Sequence, residues 1–380
     1  MCAVGFVSSS LWAATLSDTK IEYIFHDSDR ASKARKMVQL PADSVLTLLE
    51  SDFCFVADCN GNEIPSQITY DSKLIFTPTG GAQDSSKYYI HSSAEPRVYA
   101  PCTGGRRYPE RADDMAWENE IVAFRAYGPA TQSNGEKAFG YDIFFKHPGK
   151  GLVLQRLYDS QTNPANWHRR DSLAKIDRKL AEEYVNSFTY HIDHGLGMDC
   201  YAVGATLGDG VAALLDDGSI SFPWCYSDLE ILDRGPLRFT FRLDFSPRVI
   251  GADTVAEHRL ISLDADSHLN HCTVWYDGLS GERDIVVGFP LRDDSPVVAD
   301  CGRGILAYSD PTQGPDNGKA MLGVILDSPT AEFVNIQNHA LLKRRIAPGE
   351  KFSYRWGFAW DRADITSMEE WLQYLSDVQH

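Results

Sequence analysis

The chain has 380 residues, 43% of them hydrophobic, with 36 Lys and Arg against 53 Asp and Glu and a formal net charge of -17. This is enough apolar material for a large core, so a disordered chain is excluded. The acidic balance argues against nucleic acid or an anionic membrane as partner and leaves an anionic small ligand only where cations gather locally. Such gatherings are Arg106, Arg107 and Arg111, then Arg169 and Arg170, then Lys343, Arg344 and Arg345; each reads more readily as a solvated turn than as a ligand pocket.

Residues 1–14, MCAVGFVSSSLWAA, are apolar and uncharged and read as the tail of a secretory leader, although there is no basic start and bulky Trp12 sits near the expected cut. The expected location is therefore secreted or periplasmic. No later apolar run reaches ~18 residues, so no membrane span is expected. From residue 15 to about 100 the pattern predicts a small β-rich module, with strands at Ile21 to Phe25, Ile68 to Thr69 and Lys73 to Phe76, and a turn at Asn60-Gly61. The polar stretch SSAEPRVYAPCTGGRR marks a boundary, and residues 101–380 form the larger unit.

The segment Pro109 to Ala130 enters a strand, Ile121 to Tyr127, whose alternation places Arg125 and Tyr127 on one face and Val122, Phe124 and Ala126 on the other. The apolar face packs inward, so Arg125 and Tyr127 meet solvent or line a cleft. Trp117, Glu118 and Asn119 at the strand entrance suit ligand contact; equally, Glu118 or Asp114 can serve only to neutralise Arg111 or Arg125. A strand follows at Tyr141 to Phe145, and SLAKIDRKLAEEYVN, Ser172 to Asn186, has helical spacing.

Tyr190 to Gly210, YHIDHGLGMDCYAVGATLGDG, gathers His191, Asp193, His194, Asp199 and Tyr201 among five glycines that let a backbone approach a ligand. Two imidazoles and a phenol offer a base and an acid, and a neighbouring carboxylate can fix a tautomer. His and Asp at this spacing can also hold a zinc-like ion, but a third ligand of evident spacing is missing, so the metal question stays open and no cofactor is expected. The glycines form no phosphate cradle, which excludes nucleotide binding. In SFPWCYSDLEILDRGPLRFTFRL, Ser221 to Leu243, Trp224 and Tyr226 are suited either to stacking on a sugar or to a core.

Strands are expected at Arg238 to Phe245, Leu260 to Leu263, Cys272 to Tyr276, Asp284 to Gly288, Met321 to Leu326 and Lys351 to Ala359, with turns at Asp217-Gly218 and Asp277-Gly278 and a capped helix over Ile365 to Val378. The eight cysteines form no CxxC pair; Cys54 and Cys59 are the one near pair. The fold class is all-β, a large antiparallel β-sandwich with a small N-terminal β module and few helices.

Taken in order, PERADDMAWEN with VAFRAYGP, then DHGLGMDCYAVGATLGDG, then WCYSDLEILDRGPLRFT, the chain resembles the DUF4861 family, and NGNEIPSQITYDSKLIF (Asn60 to Phe76) fits its N-terminal part. The resemblance implies a supersandwich of the galactose-mutarotase type. It also implies a lyase of bacterial polysaccharide degradation that removes water from the non-reducing-end uronic acid of an oligosaccharide, giving a 4,5-unsaturated sugar. Such chemistry needs cations or amides at the carboxylate, a base near C5 and an acid for the departing hydroxyl. Arg125 with Asn119 is expected at the carboxylate, His194 or His191 as base, Tyr201 or Tyr127 as acid and Trp117 as sugar platform. Asp193 or Glu118 is expected to orient the imidazole, and Arg111, Asp199 and Trp224 to contact substrate. The alternatives are an epimerase or mutarotase, which the fold equally permits, and a non-catalytic sugar-binding module.

Overall fold

The computed structural model describes residues 16–17, 20–26, 36–78, 85–327 and 331–379; residues 1–14, expected as a leader and including Cys2, lie outside these. In the N-terminal module, Lys20–His26, Phe53–Asp58 and Ser85–Ser93 form the centre of a five-stranded antiparallel sheet, and Val38–Pro41, Lys73–Phe76 and Ser66–Ile68 form a three-stranded one. Alternate residues of these strands, with Val45 and Leu49 of the helix Ala42–Leu49, make a core whose members run from Ile21 to Ile90 and include nothing of the larger unit. Asp58 closes the Asn60-Gly61 turn by accepting the amides of Asn60 (2.9 Å) and Asn62 (2.8 Å). The module docks through Gln67, whose side chain accepts the amides of Leu237 and Arg238, each at 2.8 Å, and donates to the Arg238 carbonyl at 3.1 Å.

The larger unit holds three antiparallel sheets. One has Thr103–Tyr108, Asp114–Asn119, Ala123–Ala126, Tyr141–Lys146 and Gly197–Met198 as successive neighbours. A second carries Val211–Asp216, Arg283–Pro290 and His339–Ile346 at its centre. The third has nine strands, with Arg238–Asp244, Asp253–Asp264, Leu269–Asp277, Phe352–Trp360 and Ala320–Leu326 in the middle. The two five-stranded sheets are stitched side by side: Asp209 N donates to the Tyr141 carbonyl at 3.0 Å and Gly210 N to the Gly288 carbonyl at 3.2 Å. Gly208 has φ +57° there, and a Cβ on it would lie 2.3 Å from the Tyr141 oxygen, so only glycine fits the joint. All three sheets share one core, in which Trp117 and Phe124 of the first meet Phe241 and Trp356 of the third. This is the antiparallel β architecture, with its small N-terminal module, that the strand pattern predicts.

Three expectations change. The helix over Ser172 to Asn186 is two helices, Pro164–Ala174 and Arg178–Asn186, because Asp177 leaves helical geometry to cap the Lys179 amide at 2.8 Å; a further helix, Leu154–Thr162, precedes them. The strand at Ile121 shortens to Ala123–Ala126 because Asn119 Oδ1 takes the amides of Ile121 and Val122, each at 2.9 Å. Asp277-Gly278 is not a hairpin: the strand before it pairs within the nine-stranded sheet and the strand after it, Arg283–Pro290, belongs to another layer. The C-terminal helix Met368–Gln379 is capped as expected, Ser367 accepting the Glu370 amide at 3.2 Å and Glu370 reaching back to Thr366 N at 2.9 Å. The seven described cysteines, Cys54 and Cys59 included, are free thiols.

Candidate active site around Arg125 and His191

Strand alternation turns Met115, Trp117, Phe124, Ile143 and Phe145 into the main core and puts Asp114, Arg125, Asp142 and Phe144 on the opposite face of the same sheet. That face does not meet solvent. Val153, Leu154, Leu157 and Tyr158, at the start of the Leu154–Thr162 helix, pack onto it with Phe144 and Tyr190. Arg125 is 3% exposed, a buried charge. Its guanidinium donates to Asp142, to Asp199 at 3.1 Å and to the hydroxyls of Tyr127 and Tyr190, each at 3.2 Å, with Asp114 3.7 Å away. The Tyr127 hydroxyl donates to Asp142 at 2.8 Å.

One guanidinium cannot neutralise three enclosed carboxylates, and the titrations reflect this. Burial, reinforced by the charge of Asp142, pushes Asp199 up to about 8 despite Arg125 and Arg111. Burial raises Asp114 to about 6, and neither of its oxygens has a hydrogen-bond partner among the described residues. Burial works against the charge of Arg125, but Asp142, Tyr127 and Asp199 more than compensate.

From this buried cluster the Tyr190–His191 corner leads outward. The Tyr190 hydroxyl accepts from two guanidiniums, Arg125 at 3.2 Å and Arg111 Nε at 3.1 Å. Its ring meets the His191 ring edge-on, with centroids 4.7 Å apart. His191 Nδ1 lies 2.9 Å from the Asp199 carbonyl; a carbonyl only accepts, so Nδ1 carries the proton and Nε2 keeps its lone pair. Burial, with the charges of Arg125 and Arg111, lowers the His191 pKa, so the neutral ring dominates at neutral pH, while 52% of the side chain stays exposed. Arg111 is half-buried, and its two Nη groups make no hydrogen bond within the described residues. The corner therefore presents a neutral imidazole and a half-buried guanidinium with donors to spare, above the buried Tyr190 phenol that two cations hold.

Asp193 lies two residues on. Its Oδ1 accepts the amides of Gly195 (2.7 Å) and Gly197 (3.1 Å), and its Oδ2 is 2.5 Å from His147 Nε2, so the imidazole it orients is His147. His194 is exposed and makes no interaction within the described residues. Tyr201 is buried, its hydroxyl has no hydrogen-bond partner among the described residues, and it feels the charges of Asp310 and Asp209. Trp224 is 58% exposed and free to meet a ligand.

Four residues expected at the substrate, Trp117, Asn119, Glu118 and Arg125, are buried. Trp117 is 0% exposed, packed between aromatic rings, with its Nε1 donating to Asn270 Oδ1 at 2.7 Å; it is a core residue, and no sugar reaches it. Asn119 spends all its groups on backbone: Nδ2 on the carbonyls of Asp264 and Ser267 and Oδ1 on two amides. Glu118 accepts Lys146 Nζ at 2.6 Å and the amides of Val153 and Leu154, each at 2.8 Å, which anchors the start of the covering helix. Arg125 itself is enclosed, so Arg111 is the guanidinium within a ligand's reach. Of the five glycines, Gly197, Gly208 and Gly210 are packed against the protein itself, Gly197 so closely that a Cβ would be 1.8 Å from the Phe145 carbonyl oxygen, while Gly195 and Gly204 face open space.

Asp142, Tyr190 and His147 were not singled out. The signal for Asp142 is present in the sequence: it and Lys146 are polar at alternate positions of an otherwise apolar strand. Among the described residues no group of three or more His, Cys, Asp or Glu is arranged to hold a metal ion, and no helix is long and apolar enough to cross a membrane.

Fold and site together define an antiparallel β protein with a helix-covered arginine–carboxylate cluster opening at a histidine. The chain belongs to the DUF4861 family, described as a domain of unknown function, whose model matches residues 26–380. It is similar to the uncharacterized protein P7 of Formosa agariphila, 26% identical over 308 residues, which cover 78% of this chain and 69% of that protein.

Proposed function

We propose that this protein is a carbon–oxygen lyase that removes water from the non-reducing-end uronic acid of an oligosaccharide. The observation that carries the reading is the Tyr190–His191 corner, where a tautomer-fixed imidazole adjoins a phenol and a cation with spare donors. In this reading Arg111 pairs with the uronate carboxylate and stabilises the charge that builds on it. His191 Nε2 takes the C5 proton, the C5–H electron pair becomes the C4=C5 bond, and the 4-hydroxyl leaves as water with the proton that the exposed His191 imidazolium returns to it. Arg125 and its carboxylates are the support: they hold Tyr190 from beneath and place Asp199, whose carbonyl fixes His191.

The reading places the enzyme in extracellular or periplasmic polysaccharide breakdown, which rests on the apolar leader and the family resemblance. Incubation with oligosaccharides bearing terminal glucuronate or iduronate, followed by ultraviolet absorbance and mass, tests it. Loss of one water with a new chromophore is expected. Cleavage into two sugars would make it a glycosidic lyase, and binding without any change across a broad panel would make it a binding protein.

A further inference from the structure

We propose that the cavity between the N-terminal module and the outer face of the nine-stranded sheet is a separate binding site for an anionic oligosaccharide. It stands on its own lining and does not rest on the dehydration reading. Ile261, Leu263, Cys272 and Tyr354 point into the core, so Ser262, His271 and Arg355, which are directly cross-strand from one another, form a row on the opposite face. That row and the N-terminal module enclose about 590 Å³, within the range of about 300–1,000 Å³ usual for ligand sites.

The charge of this cavity runs against that of the chain. Lys36, Lys73, Arg238 and Arg355 line it, with His271 beside them, against two carboxylates, Asp264 and Asp377, whereas the whole chain carries 53 Asp and Glu against 36 Lys and Arg. Asp264 is spent on Arg238, at 2.6 and 2.8 Å. Lys36 is exposed and has no partner among the described residues, and Lys73 pairs with Asp71 at 2.9 Å but stays 44% exposed, whereas Arg355 donates Nη1 to the Val378 carbonyl at 2.8 Å with Asp327 3.5 Å from its Nη2, and His271 Nε2 lies 3.3 Å from Asp327, so Lys36 and Lys73 are the cations most open to a ligand. Between the cations lie hydroxyl and amide groups of Ser262 and Gln39. Cations interleaved with neutral hydrogen-bonding groups match a polyhydroxylated anion, its carboxylates or sulfates on the cations and its hydroxyls on the rest. An apolar ligand would meet charge on most sides.

The test is calorimetric titration of the full chain with a glucuronate tetrasaccharide, a sulfated tetrasaccharide and neutral cellotetraose. It is run on the wild type, on Lys36→Glu/Lys73→Glu and on Arg111→Ala, with melting curves to show that each variant is folded. The expected result is binding of one or both anionic probes, which identifies carboxylate or sulfate as the recognised group, and weaker or no binding of cellotetraose. Affinity should drop about tenfold or more in the double charge reversal and persist in Arg111→Ala. Turnover of a short uronate substrate should be unchanged in the double variant. Absence of binding, equal affinity for cellotetraose, or binding abolished by Arg111→Ala and indifferent to the charge reversal overturns the proposal. Loss of turnover in Arg111→Ala with groove binding intact separates its fate from that of the dehydration reading.

Discussion

Arg125 and Asp142 stand directly opposite each other on neighbouring antiparallel strands, both enclosed, and the guanidinium reaches straight across the ladder to the carboxylate. Removing the cation leaves Asp142, Asp199 and Asp114 buried together. Arg125→Met is therefore expected to destabilise the fold by about 3–5 kcal/mol, the usual effect of breaking a buried ion pair from one side. Urea unfolding measures this, and a midpoint within error of the wild type would show that the cluster carries no such strain.

Asp199 gives a pH dependence with a definite sign. Its folded pKa, about 8, lies above the ordinary carboxylate value, so its contribution is fully present below that ordinary value and is lost as pH rises through about 8. Asp199→Asn keeps a neutral group in place and removes this titration. The melting temperature of the variant relative to wild type should rise between about pH 4 and about pH 8 and level off above that at fixed ionic strength. A flat difference would contradict the shift.

His191→Ala should reduce turnover on a terminal uronate by about 10²- to 10⁴-fold, the range of a lost general base. Because half the side chain is exposed, stability should stay within about 0.5 kcal/mol. The acidic limb of the wild-type kcat/KM profile should fall below the ordinary histidine pKa, in line with the lowered value here. His194→Ala should leave turnover intact, and the reverse pattern would move the base to His194.

The two tryptophans raised by the sequence separate cleanly. Trp117→Ala should cost about 3–5 kcal/mol of stability as a large core truncation. Trp224→Ala should leave the melting temperature nearly unchanged and weaken saccharide binding. Titration and thermal unfolding on the same two proteins decide it; equal effects on stability would mean that Trp224 is packed as well.

What the sequence made legible was periodicity. Arg125 and Tyr127 share a face, as alternation requires, and most strands fall where β-branched and aromatic runs lie between turn residues. What alternation leaves open is the covering layer. The helix Leu154–Thr162, with Val153 before it, turns an apparent cleft face into an interior, and nothing in the pattern of Ile121 to Tyr127 signals that cover. Residue type alone also favoured Trp117, Glu118 and Asn119 as ligand contacts, because an indole, a carboxylate and an amide suit a sugar as well as they suit a core, a helix start and a turn. Asp142 was overlooked for a related reason: its partner is distant in sequence and becomes visible only once two strands are in register.

The seam at Leu207–Gly210 has a consequence for association between copies. A five-stranded sheet ordinarily ends in a strand whose amides and carbonyls invite pairing with another chain. Here the Tyr141 carbonyl, which lies beyond the short pairing with Gly197–Met198, is taken by the amide of Asp209, while the next amide, Gly210, extends the ladder of the second sheet onto the Gly288 carbonyl of its central strand. The two sheets thus behave at that margin as one continuous wall, and strand addition from a second molecule is turned away to the outer strands, Thr103–Tyr108 and Glu332–Ile336.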